Sequence, residues 1–132
     1  MRLFSLFILA FAISCTSKKV ALLPAENAFD AGREFIDGNL KGDFQKAAFY
    51  MIADEQNKQF LSVAEQEYRQ KDKEGRQELR SASINLEKVE DLDKEQSIIY
   101  YSNSFDKKPQ KIKIIKTNQG WLVDYKFSFS TP

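Results

Sequence analysis

The sequence predicts an α+β domain in which N-terminal helices pack on a curved four-stranded antiparallel meander. Three observations carry that expectation. Apolar residues recur at three-and-four spacing as far as about residue 80, the period falls to two beyond Ser81, and charged turns separate four runs of similar length after it. Helices that precede a meander, instead of alternating with strands, layer onto one face of an antiparallel sheet. The 132 residues allow one domain with a modest core, and no proline- or serine-rich linker divides them.

The first helix is expected from Pro24 to about Gly38, with Ala25, Ala28, Phe29, Gly32, Phe35 and Ile36 on one stripe and proline at the favoured first position. Glu26, Asp30, Arg33, Glu34 and Asp37 fall mostly off that stripe, as a half-buried helix requires. The run Gly38 to Asp43 breaks the helix with glycines suited to a left-handed cap, and Asp43 is the next N-cap. In the short helix that follows, Phe44, Ala47, Ala48 and Met51 share a side, while Phe49 projects away from it and needs a separate burial site. A third helix, from near Asp54 to about Lys73, carries the narrow stripe Phe60, Leu61, Ala64 and Tyr68 and reads as a lid on the outside. Lys71 to Arg80, interrupted by Gly75, reads as a solvated helix end or loop.

The first strand is expected over about 82–90, with Ile84 and Leu86 on one face and Val89 out of phase, which places a bulge near Glu87-Lys88. The second, about 96–105, carries apolar groups on both faces at Ile98-Ile99-Tyr100-Tyr101 and so lies centrally. In the third, about 110–117, Ile112 and Ile114 oppose Lys111 and Lys113. Asn118-Gln119-Gly120 closes the last hairpin. The fourth strand places Trp121, Val123, Tyr125, Phe127 and Phe129 on one parity and Leu122, Asp124, Lys126 and Ser128 on the other.

Composition removes much chemistry. Histidine is absent and Cys15 is the single cysteine, which excludes zinc sites built on His/Cys, disulfides, Cys/His dyads and Ser-His-Asp triads. No metal and no cofactor is expected. Lysine plus arginine number 20 against 19 acids, and the balance is even once Arg2 is removed with the leader; a nucleic-acid partner, which calls for a basic excess on one face, is not expected.

Met1-Arg2 is a short positive start, Leu3 to Ile13 is apolar except for Ser5, and Ser14-Cys15 ends the run. About 11 apolar residues span roughly 16 Å as a helix, half of a ~30 Å hydrocarbon core, so a cleaved signal fits better than a membrane span. Ala12-Ile13-Ser14-Cys15 resembles the bacterial lipobox, with Ala12 where leucine is usual. That resemblance implies cleavage before Cys15 and acylation of its thiol, a tether stable enough to hold the protein on a membrane without crossing it. Thr16 stands where an aspartate would favour inner-membrane retention, so the resemblance implies the outer membrane, facing the periplasm. The expected organisation is therefore a signal peptide over 1–14, a lipidated cysteine and tether over 15–23, and a folded domain over 24–132.

Gly-Asn-Leu-Lys-Gly-Asp-Phe-Gln-Lys-Ala-Ala at 38–48, together with Gly-Trp-Leu-Val-Asp-Tyr-Lys-Phe at 120–127, resembles small bacterial lipoproteins of the NTF2-like superfamily. The resemblance covers about residues 24–130 and implies an α+β cone whose sheet and helices enclose a pocket. That superfamily includes isomerases, dehydratases and plain binding or assembly modules, and fold alone does not choose among them.

Tyr100, Tyr101, Trp121 and Tyr125 are the candidate pocket residues, each with a flat apolar body and a polar tip. No residue is assigned a catalytic role. Asp124 lies on the parity away from the aromatic stripe and is expected to be solvated or salt-bridged, and Asp54-Glu55 suits a helix start. Lys107, Lys108, Lys111, Lys113 and Lys116 are expected on the solvent side of the third strand. The resulting expectation is a membrane-anchored, non-enzymatic binding or interaction module of the cell envelope, taking a small apolar ligand or an envelope protein. The alternatives are an isomerase- or dehydratase-type enzyme on an apolar substrate, and a structural subunit that forms a homodimer through Phe49, Leu122 and Phe129.

Overall fold

The computed structural model describes residues 20–130. The expected leader, Cys15 and Lys18-Lys19 lie outside the described residues. Four helices precede the sheet: α1 (Ala28–Lys41), α2 (Phe44–Phe49), α3 (Glu55–Gln70) and α4 (Lys73–Arg80). The strands β1 (Ile84–Asp91), β2 (Gln96–Asn103), β3 (Gln110–Thr117) and β4 (Gly120–Asp124) form one antiparallel sheet in sequence order. The α+β expectation holds.

Each helix starts on a side-chain cap. Asp43, Asp54 and Asp72 accept from the backbone N–H groups of Lys46, Asn57 and Gly75. Helix α1 begins not at Pro24 but after Asn27, whose side-chain oxygen accepts from Asp30 N at 2.8 Å; Leu23, the cap of a helix that began at Pro24, has no side-chain acceptor to offer. It also runs past Gly38 to Lys41, because the stop is Gly42 at φ 72, where a Cβ would collide with the Tyr68 ring. Within the stretch from Lys71 to Arg80, Lys73–Arg80 is a separate helix, since Asp72 supplies its cap after α3 has ended at Gln70.

Gly32 lets α1 lie against the sheet: a Cβ there would sit 2.5 Å from Ile99 Cδ1. On that contact Ala31, Phe35, Ile36 and Leu40 bury against Ile99, Tyr101, Ile112, Ile114 and Val123. Lys46 ties α2 to α1 through Glu34 and through Asp37, at 2.8 Å from Asp37 Oδ2. Burial alone would raise the Asp37 carboxyl, but hydrogen bonds from Lys46 and Lys41 outweigh it and hold it low.

The register shift between Leu86 and Lys88 is the expected bulge, and it brings Val89 opposite Ile99. The fourth strand departs from expectation. It ends at Asp124, and Tyr125–Phe129 is a turn of 3-10 helix. The ladder stops because other partners claim the backbone. Lys126 N donates to Asn57 Oδ1 at 2.7 Å, and the Ser128 hydroxyl donates to Lys111 O at 2.7 Å. The aromatic stripe is thereby split: Tyr125 meets Phe35 edge-on at 4.9 Å and Phe129 stacks on Phe60 at 4.2 Å, while Phe127 lies under Lys111 and Lys113.

The far edge of β4 is also occupied. Ile52 N donates to Val123 O and Val123 N to Tyr50 O, at 2.9 and 2.7 Å, a parallel bridge centred on Met51. Asn57, fully buried, sits beside that bridge and donates to Ile52 O and Asp124 Oδ1, at 3.0 and 3.1 Å. Lys126 Nζ lies 2.7 Å from both Asp54 and Asp124.

Asn57→Ala leaves Ile52 O and Lys126 N without their partner, while Asp124 keeps Lys126 Nζ, and each buried group left unpaired costs about 1–3 kcal/mol. Urea denaturation is expected to show a loss of about 3 kcal/mol or more. The Asp54 carboxyl is held below its ordinary 3.8 by Lys126 first and by the Asn57 N–H second. That contribution is present above the unfolded value and lost as pH falls through the lower folded one. Asp54→Asn retains a capping oxygen, so its urea midpoint is expected to be lower at neutral pH and to fall less steeply than the wild type between about pH 5 and 3.

Candidate functional site

Two adjoining hollows lie beneath α3. The inner one, of about 310 Å³, is bounded by α1, α3 and the helix-facing side of the sheet, with Phe44, Tyr101, Phe105 and Tyr125 among its walls. The outer one, of about 650 Å³, is lined by Phe60, Val63, Tyr100, Lys111, Tyr125 and Phe129 among others. Ala64, Glu67, Gln110 and Tyr125 belong to both.

The walls follow from local structure. Tyr101 shares the face of Ile99 and points to the core, whereas Tyr100 pairs across from Lys111 on the opposite face. Tyr125 reaches both hollows because the chain leaves the sheet at Asp124, and its ring packs on Phe35 and Phe129. Phe60 and Val63 come from α3, which Asn57 fixes to the chain at Lys126.

The polar groups are few. Tyr101 donates to Gln110 Oε1 at 3.0 Å, and burial pushes its hydroxyl well above the ordinary tyrosine range, with the charges of Tyr125 and Asp106 acting the same way. Burial first and Glu67 second push Tyr125 up to about 12. Among the described residues the Tyr125 hydroxyl has no hydrogen-bond partner. Asn39 gives its amide nitrogen to Phe35 O at 3.1 Å, and its Oδ1, buried, has none either. Asn39 and Tyr125 both line the inner hollow.

The four tyrosine and tryptophan candidates are thus not brought together as a set. Tyr100 and Tyr125 line the outer hollow, Tyr101 and Tyr125 the inner one, and Trp121 stands apart beside Phe49 and Leu122. Phe129 is likewise separated from Phe49 and Leu122, so the three do not form one patch. Asp124 is salt-bridged to Lys126, as its strand parity predicts. Lys111 and Lys113 lie over Phe127, but Lys116 has the parity of Ile112 and Ile114 and sits over Trp121 instead.

Sequence reasoning missed Asn39, although its signal was present: it stands four residues after Phe35, on the stripe that α1 buries. It also missed Phe60 as a wall residue, because its stacking partner Phe129 comes from a turn that reads as strand.

The chemistry these groups allow is uneven. In the inner hollow, among the described residues, no tyrosine hydroxyl bonds a carboxylate. Tyr100 donates to Glu90 at 3.2 Å, but Glu90 is 39% exposed and does not line the outer hollow. An aromatic hollow with one free acceptor and one free hydroxyl is suited to holding a molecule.

Because Tyr101, buried, and Tyr125, half-buried, are held neutral, their contribution to stability is intact below the unfolded tyrosine value of 10.0 and is lost as pH rises through the higher folded values. Chemical denaturation across that range is expected to show a steep alkaline loss in the wild type and a shallower one in Tyr101→Phe. No family model, no curated protein and no solved structure matches the chain, so what the hollows can do is carried by their own geometry.

Proposed function

We propose that this chain is a lipid-anchored protein of the bacterial cell envelope, held at Cys15 on the outer membrane with its NTF2-like domain facing the periplasm. The domain is a binding module without catalytic activity. Its ligand is small and largely apolar, with a hydroxyl or amine to donate to Asn39 Oδ1 and an acceptor for the Tyr125 hydroxyl. The lipobox-like Ala12-Ile13-Ser14-Cys15 supports the anchor. The order of helices before a meander supports the NTF2-like reading.

One observation carries the ligand: Asn39, whose Oδ1 is buried and unpartnered, lines a hollow walled by Phe44, Tyr101, Phe105 and Tyr125. Buried polar atoms in native proteins are paired with few exceptions, and an orphan on a residue that lines a hollow calls for a group that pairs with it. Binding is favoured over proton-transfer catalysis because the carboxylates lining the hollows, Glu67, Glu87 and Asp106, make no hydrogen bond to a tyrosine hydroxyl among the described residues.

Native mass spectrometry of the full chain, purified from its own membranes in mild detergent, tests the reading. The expected spectrum shows diacylglycerol mass on Cys15 and a retained small molecule, the latter weakened or lost in Asn39→Ala. An unmodified thiol overturns the anchor, and an empty wild-type chain overturns the ligand.

A further inference from the structure

The tether leaves the domain at a defined place. The Tyr50 hydroxyl donates to Leu23 O at 2.7 Å, and Pro24 and Ala25 enter a hollow of about 280 Å³ beside Phe49, Trp121 and Leu122. Around this exit the surface is apolar: Val20 is 88% exposed, Leu22 38%, Leu23 74% and Phe49 41%. Trp121 is half-buried there, with Lys116 Nζ 5.9 Å from its ring.

This patch lies far from the hollows beneath α3. Lys116 and Trp121 mark one end of β3, Gln110 and Lys111 the other, and a strand of eight residues separates such ends by roughly 24 Å. The chain outside the described residues adds a second constraint. Eight residues connect Cys15 to Leu23, which fully extended span at most roughly 29 Å. An acyl anchor at Cys15 therefore joins the domain at the tether-exit face, and not at the mouth of the hollows.

We propose that this face seats in the interfacial layer of a phospholipid bilayer, with Leu22, Leu23, Phe49 and Trp121 at the boundary between headgroups and acyl chains and Lys116 among the headgroups. The inference rests on the anchored reading of Cys15. Tryptophan is enriched at that depth because its ring is apolar and its N–H polar. Lys18 and Lys19 in the tether, with Lys116 beside Trp121, match the charge of anionic headgroups. Insertion of exposed apolar side chains beside an acyl anchor adds a second membrane contact to the first.

Trp121 is the single tryptophan, so its fluorescence reports this face alone. The full acylated chain, purified from its host membrane, is reconstituted into phosphatidylcholine–phosphatidylglycerol vesicles with and without brominated acyl chains. The expected result is flotation with the vesicles and quenching of about half of the Trp121 emission by the brominated lipid, as for an indole at the interface. Leu23→Ser combined with Phe49→Ser is expected to float equally well and to be quenched less. A wild-type chain that floats with unquenched Trp121 overturns the seating and leaves the anchor intact, including where the emission depends instead on protein density through contact with a second copy. A chain that does not float overturns the anchor and the seating together.

Discussion

The structure is held closed by one amide. Asn57 enters from the first turn of α3 and reaches Ile52, Asp124 and Lys126, joining the segment before the helix to the chain that leaves β4. No apolar residue could take its place, because the position is crossed by three backbone or carboxylate groups that must be paired once water is excluded. The consequences spread outward. With Lys126 N taken, the β3–β4 ladder ends, Tyr125 turns toward Phe35, and Phe129 comes to lie on Phe60 of the helix that Asn57 belongs to. The hollows beneath α3 exist because the fourth strand does not continue across that space.

Much of this architecture is legible in the sequence where the signal is local. Asp43 and Asp54 stand where a capping oxygen is needed, and both cap. The phase slip between Leu86 and Val89 announces the bulge, since a period of two can be broken only by an extra residue. The failures are competitions that local patterns cannot judge. Pro24 is a good first helical residue, but Asn27 offers a side-chain acceptor and the helix starts there. The alternation from Trp121 to Phe129 is a sound strand pattern, yet it is overruled by an asparagine 69 positions away from Lys126.

The site was legible residue by residue and not as a set. Neighbours on a strand face opposite ways, so Tyr100 and Tyr101 were bound to separate, and only the departure of the chain at Asp124 lets Tyr125 border both hollows. Trp121 belongs to another surface altogether, the one from which Leu23 and Pro24 emerge. Asn39 is the kind of residue that composition hides: one polar atom on a buried stripe, informative only once its neighbours are known to offer it nothing. The molecule thus has two ends of different character, an aromatic cavity at the start of β3 and an apolar rim with a lysine at its finish.

The parallel bridge at Met51 has a further effect. It joins a segment threaded between α2 and α3 to a strand 72 residues later, and so sews the helical half to the sheet, neither being complete alone. Contacts of such separation form late, after their loop has been closed at an entropic cost. While the chain is being made, its helices therefore remain without the backing that stabilises them until the last strand has been synthesised.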